Sequence, residues 1–418
     1  MTRRAPMTWQ TAVVIGLAVL PSMSASVSVA RGAADDGRWV ASWVAAQQLT
    51  EPPNMPPAPG LSGQTLRQVI QPSLGGRRLR VTLSNAFGDG DLAVDSVRVA
   101  RSAGLAAIEP SSDRALTFAG GSAAVAIPRG AVMVSDPIPF DVVALANLDV
   151  SMHLVSVPAA LTGHPGSRTT SFLQAGDVTS APDLRAPATA DHWYVLSGLE
   201  VWADPRAAAI VVLGDSITDG RGSTTNKNDR WPNLLSQRLR ASPATAEVAV
   251  LNVGLGGNRL LRDGIGPSAL ARFDRDVLAV PGARWLVVLE GVNDIGTAVD
   301  ARKRGEPAAT AADVIAAYRQ MIVRAHGHGL RVYGATILPF EGFAAYSSPQ
   351  SEADRQEVNR WIRGGGELDG VIDFDAIARD PARPSRLREA VDGGDHLHPS
   401  AAGYRILADA IDLSLFAR

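Results

Sequence analysis

From Trp39 to about Trp202 apolar and polar positions alternate with a period of two, and Gly, Pro, Asn and Asp break the alternation at short intervals. Leu79, Val81 and Leu83 alternate with Arg80 and Thr82 across Arg78 to Ser84, and Val150 and Met152 continue the alternation across Leu148 to Leu154. Leu92, Val94, Val97 and Val99 mark another strand with a one-residue irregularity. The pattern predicts a β-sandwich. Glu51 to Gly60, with five prolines, is expected to be an irregular surface loop, and the Pro- and Ala-rich stretch Ser180 to Ala190 reads as another.

After Ala207 buried strand runs alternate with amphipathic helices, the pattern of a parallel sheet covered on both faces. Strands are predicted at Ala209 to Leu213, Val248 to Val253, Trp285 to Leu289, Leu330 to Ile337 and Val371 to Phe374. Helical stripes run through Trp231, Leu234, Leu235 and Leu239, through Val314, Ile315, Tyr318, Ile322 and Ala325, and through Tyr404, Leu407, Ala408, Ile411 and Leu415. The change of texture places a domain boundary near Asp204-Pro205, giving a sandwich over 31–205 and an α/β domain over 206–418. A length of 418 residues exceeds what one core usually supports, in keeping with two domains.

The first thirty residues read as an export signal: Arg3 and Arg4, an apolar run from Thr11 to Leu20, then small residues to Ser28-Val29-Ala30. Cleavage would leave a secreted protein beginning near Arg31. The run is far shorter than the roughly 20 residues that span a bilayer, so no stable membrane insertion is expected. Forty basic residues against 42 acidic give a net charge of −2, which provides no field for nucleic acid. The absence of cysteine excludes disulfides, thiolate metal sites and a cysteine nucleophile.

Four loops at strand ends or before the last helix carry candidate chemistry. The first strand of the parallel sheet runs into Gly214-Asp215-Ser216, and a serine at that carboxyl edge stands where open α/β sheets bind ligands. Asp215 or Ser216 could instead simply cap the next helix. The second strand ends in Asn252-Val253-Gly254-Leu255-Gly256-Gly257-Asn258, where the Gly257 N–H is a candidate oxyanion donor. A dinucleotide loop does not fit, because Arg259 stands where a third glycine would be needed. The third strand ends in Glu290-Gly291-Val292-Asn293-Asp294; the Asn293 amide could donate to an oxyanion, while Asp294 reads as a turn-former. In Asp392-Gly393-Gly394-Asp395-His396-Leu397-His398, Asp395 lies three residues before His398, close enough to hold its Nδ1–H and leave Nε2 as a base. A metal site built from the same residues is the main rival.

Gly214-Asp215-Ser216, Gly257, Gly291-Val292-Asn293-Asp294 and Asp395-His396-Leu397-His398, in this order, resemble the GDSL or SGNH hydrolase family over about Ala207 to Arg418. Ile217 stands in place of the name-giving leucine. The resemblance implies a three-layer α/β/α, flavodoxin-like fold, with Ser216, Asp395 and His398 as a catalytic triad. It implies an oxyanion hole from the amides of Ser216 and Gly257 and the side chain of Asn293, and no metal or organic cofactor. The segments Thr65 to Val69, Ser73 to Gly76 and Leu83 to Gly88 are similar to the jelly-roll-like sandwich ahead of this domain in secreted bacterial members resembling a xylanase-associated arylesterase. The expected substrate is then a small acyl ester, acetylated carbohydrate in particular. Lipase, arylesterase or acyltransferase activity is the alternative within the family, and a carbohydrate-binding surface protein with an inactive hydrolase domain is the alternative outside it.

Overall fold

A computed structural model describes residues 1–2, 36–364 and 366–417. The expected export signal and its cleavage point lie outside the described residues. Residues 37–418 form one compact unit.

The alternating half folds into antiparallel sheets. Arg38–Val44, Leu196–Ala203, Gly76–Ser84 and Ile138–Val142 lie side by side in one of them. A second contains Ala188–Ala190, Ser171–Ala175, Gln64–Ile70, Leu148–Ser156 and Leu92–Gly104 in that order. Inward residues of both, among them Leu79, Val81, Leu66, Val97 and Val150, join one apolar core. The irregularity expected between Val94 and Val97 is a bulge at Asp95: pairing passes from His153 with Ser96 to Leu154 with Val94. The extra residue restores the inward facing of Val94 after Val97, which a strict period of two would forbid. The proline-rich loop contains one 3-10 turn, Pro52–Asn54, and the Ser180 to Ala190 stretch ends in the edge strand Ala188–Ala190, which pairing with Ser171–Ala175 draws out of an otherwise turn-like sequence.

From Ala208 the sheet becomes parallel. Its strands run Val248–Gly254, Ala208–Gly214, Ala283–Leu289, Arg331–Ala335 and Gly370–Ile372 across the sheet, so the chain order is 2-1-3-4-5, the flavodoxin-like order. In the first strand Ala209, Val211 and Leu213 face the helices Ala311–Gly327 and Pro349–Gly364, while Ala208, Ile210 and Val212 face Trp231–Ala241 and Ala401–Asp409. Helices cover both faces, which is why these strands read as continuous apolar runs.

The strand at one edge of this sheet, Val248–Gly254, would present unpaired backbone groups. The antiparallel region covers it: Ser73 Oγ accepts the Val250 N–H at 3.0 Å, and Ala41 N–H donates to Pro281 O at 2.9 Å. Arg38–Val44 packs alongside, and its core is continuous with one face of the parallel sheet.

Candidate active site

The strand order reverses on either side of Ala208–Gly214, and the crevice opens outside its carboxyl end. Asp215 caps the four-residue helix Ser216–Asp219 by accepting the Ile217 N–H at 2.8 Å, which leaves Ser216 as its first residue. Capping and a reactive position are thus divided between neighbours. Gly254, on the next strand, faces the backbone of Asp219 so closely that any side chain there would collide with it, and the short helix is thereby pressed against the sheet.

Ser216 Oγ lies 2.8 Å from His398 Nε2, and His398 Nδ1 lies 2.7 Å from Asp395 Oδ2. The other Asp395 oxygen accepts the amides of Leu397 and His398 at 3.0 and 2.8 Å, so the carboxylate is fixed by the turn that carries the imidazole. A carboxylate on Nδ1 selects the tautomer whose Nε2 accepts the serine proton. Burial pushes the His398 ring below its ordinary value of 6.5; Asp395 opposes this, and the positive charges of Arg221 and Arg168 reinforce it. Burial pulls the Asp395 carboxyl up, but the His398 amide and ring and the Leu397 amide together hold it below the usual range. His396, at φ 65°, turns away and pairs with Asp392 at 2.5 Å on the exposed side of the turn. Each histidine of the segment is therefore matched to its own aspartate, and the four do not converge as a metal site would require.

Gly257, at φ +66°, lines the same crevice, and its N–H has no acceptor among the described residues. Asn293, on the first turn of Val292–Lys303, is buried and donates one amide hydrogen to Asn258 O at 2.8 Å, which leaves the second for a ligand. The Tyr346 hydroxyl donates to Asn293 Oδ1 at 2.9 Å, which fixes the orientation of the amide and leaves its nitrogen as the donor. Tyr346 was not visible in the sequence as a site residue; it comes from an irregular loop far along the chain, with no periodicity or motif around it. Asp294 is also more than a turn-former: its carboxylate accepts the amides of Leu260 and Leu261 at 2.8 and 3.2 Å and so anchors the loop that follows Gly257.

Beneath the three loops lies Arg272, fully buried. It donates to the carbonyls of Gly214 and Val253 at 3.2 and 2.6 Å, to Asn258 Oδ1 at 2.6 Å and to Asp276 at 3.0 Å, and it stands 3.7 Å from Glu290. One guanidinium thus ties together the ends of the strands that present Ser216 and Gly257, and stands beside the end of the strand that presents Asn293. Neither Glu290 carboxyl oxygen has a hydrogen-bond partner, and burial and then Asp215 push this group well above the usual range. Burial raises Asp215 as well, and brings Asp294 to about 6.

The crevice is a cleft of about 430 Å³. Ser216, Gly257, Asn293, Asp395 and His398 all line it, so the five residues singled out from the sequence meet in one place. One wall, including Gln48, Glu51, Asn54, Arg168 and His192, belongs to the antiparallel region and was not anticipated. Among the described residues, three potential metal ligands gather at Asp95, His153 and Asp177, none of which lines the cleft.

Residues 212–406 match the family described as GDSL-like Lipase/Acylhydrolase. No curated protein matches the chain. Among solved structures, the chain is similar to Axe2, an acetylxylan esterase from Geobacillus stearothermophilus, at 22% identity and a TM-score of 0.39, over 50% of this chain and 94% of that one. It is also similar to a GDSL-like lipase from Bacteroides thetaiotaomicron VPI-5482, at 16% identity and a TM-score of 0.37, over 50% of this chain and 87% of that one.

Proposed function

We propose, on the premise that residues 212–406 form a GDSL-like lipase/acylhydrolase domain, that the protein hydrolyses small acyl esters through an acyl-enzyme on Ser216. The observation that carries this reading is the unbroken chain from Ser216 Oγ through His398 to Asp395, at 2.8 and 2.7 Å, opening into the cleft.

In this mechanism Ser216 Oγ attacks the ester carbonyl while His398 Nε2 takes its proton, and Asp395 holds the imidazolium that forms. The carbonyl oxygen, becoming negative, receives hydrogen bonds from the Gly257 and Ser216 amides and the free hydrogen of Asn293, a donor of the kind whose loss costs about 2.7–4 kcal/mol. His398 returns the proton to the departing alcohol. Water, activated by the same base, then releases the acid, and an alcohol in its place would make the protein a transferase. No step calls on a metal or organic cofactor.

Acetyl groups on carbohydrate are the preferred substrates in this reading, by analogy with the acetylxylan esterase named above and with the jelly-roll-like sandwich that precedes the catalytic domain in secreted relatives. The amino-terminal pattern of basic, apolar and small residues supports export.

The test is turnover of short-chain aryl esters and acetylated xylan by the full protein and its Ser216→Ala variant, with and without a chelator. Activity that survives chelation and falls about 10³-fold or more in the variant is the expected result. Equal activity in both, or a Ser216 that does not react with a phosphonyl probe in the folded protein, would overturn it and favour a binding protein with an inactive hydrolase domain.

A further inference from the structure

The charged groups that face the cleft are unevenly paired: its carboxylates are held by neighbouring side chains, and its guanidinium groups are paired with none of them. Three carboxylates line it, each already committed. Glu51 accepts from Gln48 Nε2 at 2.7 Å and from Asn54 Nδ2 at 3.0 Å, Asp219 pairs with His164 at 2.9 Å, and Asp395 holds His398.

Two guanidinium groups line the cleft as well, Arg168 from the antiparallel region and Arg221 from the loop after the Ser216 helix. Neither has an ion-pair partner among the described residues. Arg168 spends only its Nε, on Gly220 O at 3.2 Å, and keeps both terminal nitrogens. The Arg221 side chain makes no hydrogen bond to the described residues.

The backbones that carry them are nevertheless fixed. Arg168 adopts a left-handed φ of 50° and its carbonyl accepts the Asn226 N–H at 2.9 Å. Arg221 donates its N–H to Ser216 O at 2.9 Å, and its carbonyl accepts the Tyr404 hydroxyl at 2.7 Å. A non-glycine residue in a left-handed conformation is uncommon and is kept only where the surroundings enforce it.

Position says which part of a substrate they would meet. Gly222, next to Arg221, packs so closely on the Pro399 carbonyl that a side chain there would collide with it, and Arg168 is tied to the same loop through Gly220 O, so both lie beside the turn of His398, the group that hands a proton to the leaving alcohol. Gly257 and Asn293, which would hold the carbonyl oxygen, come from other loops. The two arginines therefore stand on the leaving-group side of Ser216.

We propose that Arg168 and Arg221 form an anion subsite for a carboxylate on the alcohol part of the ester, so that the preferred substrates are acyl esters of acidic sugars. This rests on the ester-hydrolase reading above. A guanidinium fork matches a carboxylate in shape and charge, and with no internal carboxylate to displace, the whole interaction is available to substrate.

The test compares acetate release from an O-acetylated oligogalacturonate and from the same oligosaccharide with its carboxyls methyl-esterified, with 4-nitrophenyl acetate as an uncharged reference. The free-acid form is expected to give a kcat/KM about tenfold or more higher at low ionic strength, shrinking as salt is added. Arg221→Gln, which disturbs no side-chain hydrogen bond to the described residues, should cut that ratio severalfold, and the double variant with Arg168→Gln should bring it near one. A ratio near one in the native protein that still turns over 4-nitrophenyl acetate, or a ratio unchanged in Arg221→Gln and in the double variant, overturns the subsite alone. No turnover of any ester, with Ser216 unreactive, overturns the hydrolase reading and the subsite with it.

Discussion

His398 sits between opposing influences: burial, Arg221 and Arg168 disfavour its charged form, and Asp395 favours it, with the net result below 6.5. Only the neutral ring can take the Ser216 proton, so kcat/KM should rise with pH along an acid limb whose midpoint lies below the ordinary histidine value. A pH profile of kcat/KM on a neutral aryl ester checks this; a midpoint above 6.5 would contradict the burial argument. Tyr346 acts one residue further out, through the orientation of the Asn293 amide. Tyr346→Phe should lower kcat about three- to tenfold, since a single neutral hydrogen bond is worth roughly 0.5–1.5 kcal/mol, with KM little altered. A rise in KM with kcat unchanged would point to a binding role instead. At this scale the sequence was informative where short-range spacing decides geometry. Asp395 and His398 share one turn, and Ser216 follows a strand directly, so the place of each at the cleft follows from position. Tyr346 and Asp294 act on partners 53 and 34 residues away, a relation that no local spacing encodes.

The elements that carry the site are joined by a buried charged cluster rather than by apolar packing alone. Arg272 holds the ends of two strands and the Asn258 side chain, and around it lie Asp215, Glu290 and Asp294, all with pKa values raised chiefly by burial. A raised carboxyl favours folding in its neutral form. Its contribution is fully present below the unfolded-state pKa and is lost as pH rises through the folded-state value. Glu290, with both oxygens unpartnered, should make the largest such contribution. Glu290→Gln keeps the shape and removes the ionisation, so the variant should gain in stability on the native protein as pH is raised from about 5 to about 9. Denaturant unfolding at several pH values measures this, and a difference independent of pH would mean that Glu290 does not change its ionisation on folding. The strands and helices themselves were legible, because burial on both faces of a parallel sheet leaves continuous apolar runs and the helices keep a 3.6-residue stripe. The bulge at Asp95 was legible for the same reason, as a break in a period of two. The Arg272 cluster was not, since nothing distinguishes a buried arginine from a solvated one in the sequence.

Over the whole molecule, the antiparallel region does two things that its alternating pattern does not announce. It seals the edge of the parallel sheet, with Ser73 on Val250 and a core shared with one sheet face. It also reaches the helix that begins at Ser216: His164 Nε2 pairs with Asp219 at 2.9 Å while its Nδ1 is held by Ala46 O at 2.7 Å, and buried Arg230 donates to both Ser167 O and Asp219 O. Asp219 is the last residue of the helix that begins at Ser216, so these contacts fix the pitch of the helix from outside the catalytic sheet. A chain reduced to residues 206–418 would lose this support and one wall of the cleft. It would also expose an unpaired strand edge and the apolar face now covered by Val40 and Ala41. Such a fragment is expected to aggregate or to bind hydrophobic dyes without a cooperative melting transition. Full-length His164→Ala, which leaves the edge covered but Asp219 unpaired in a buried setting, should stay folded while losing about 1–3 kcal/mol of stability. A fragment that melts cooperatively and hydrolyses esters at the full protein's rate would show that the two regions fold independently, and that the antiparallel wall contributes to substrate choice alone.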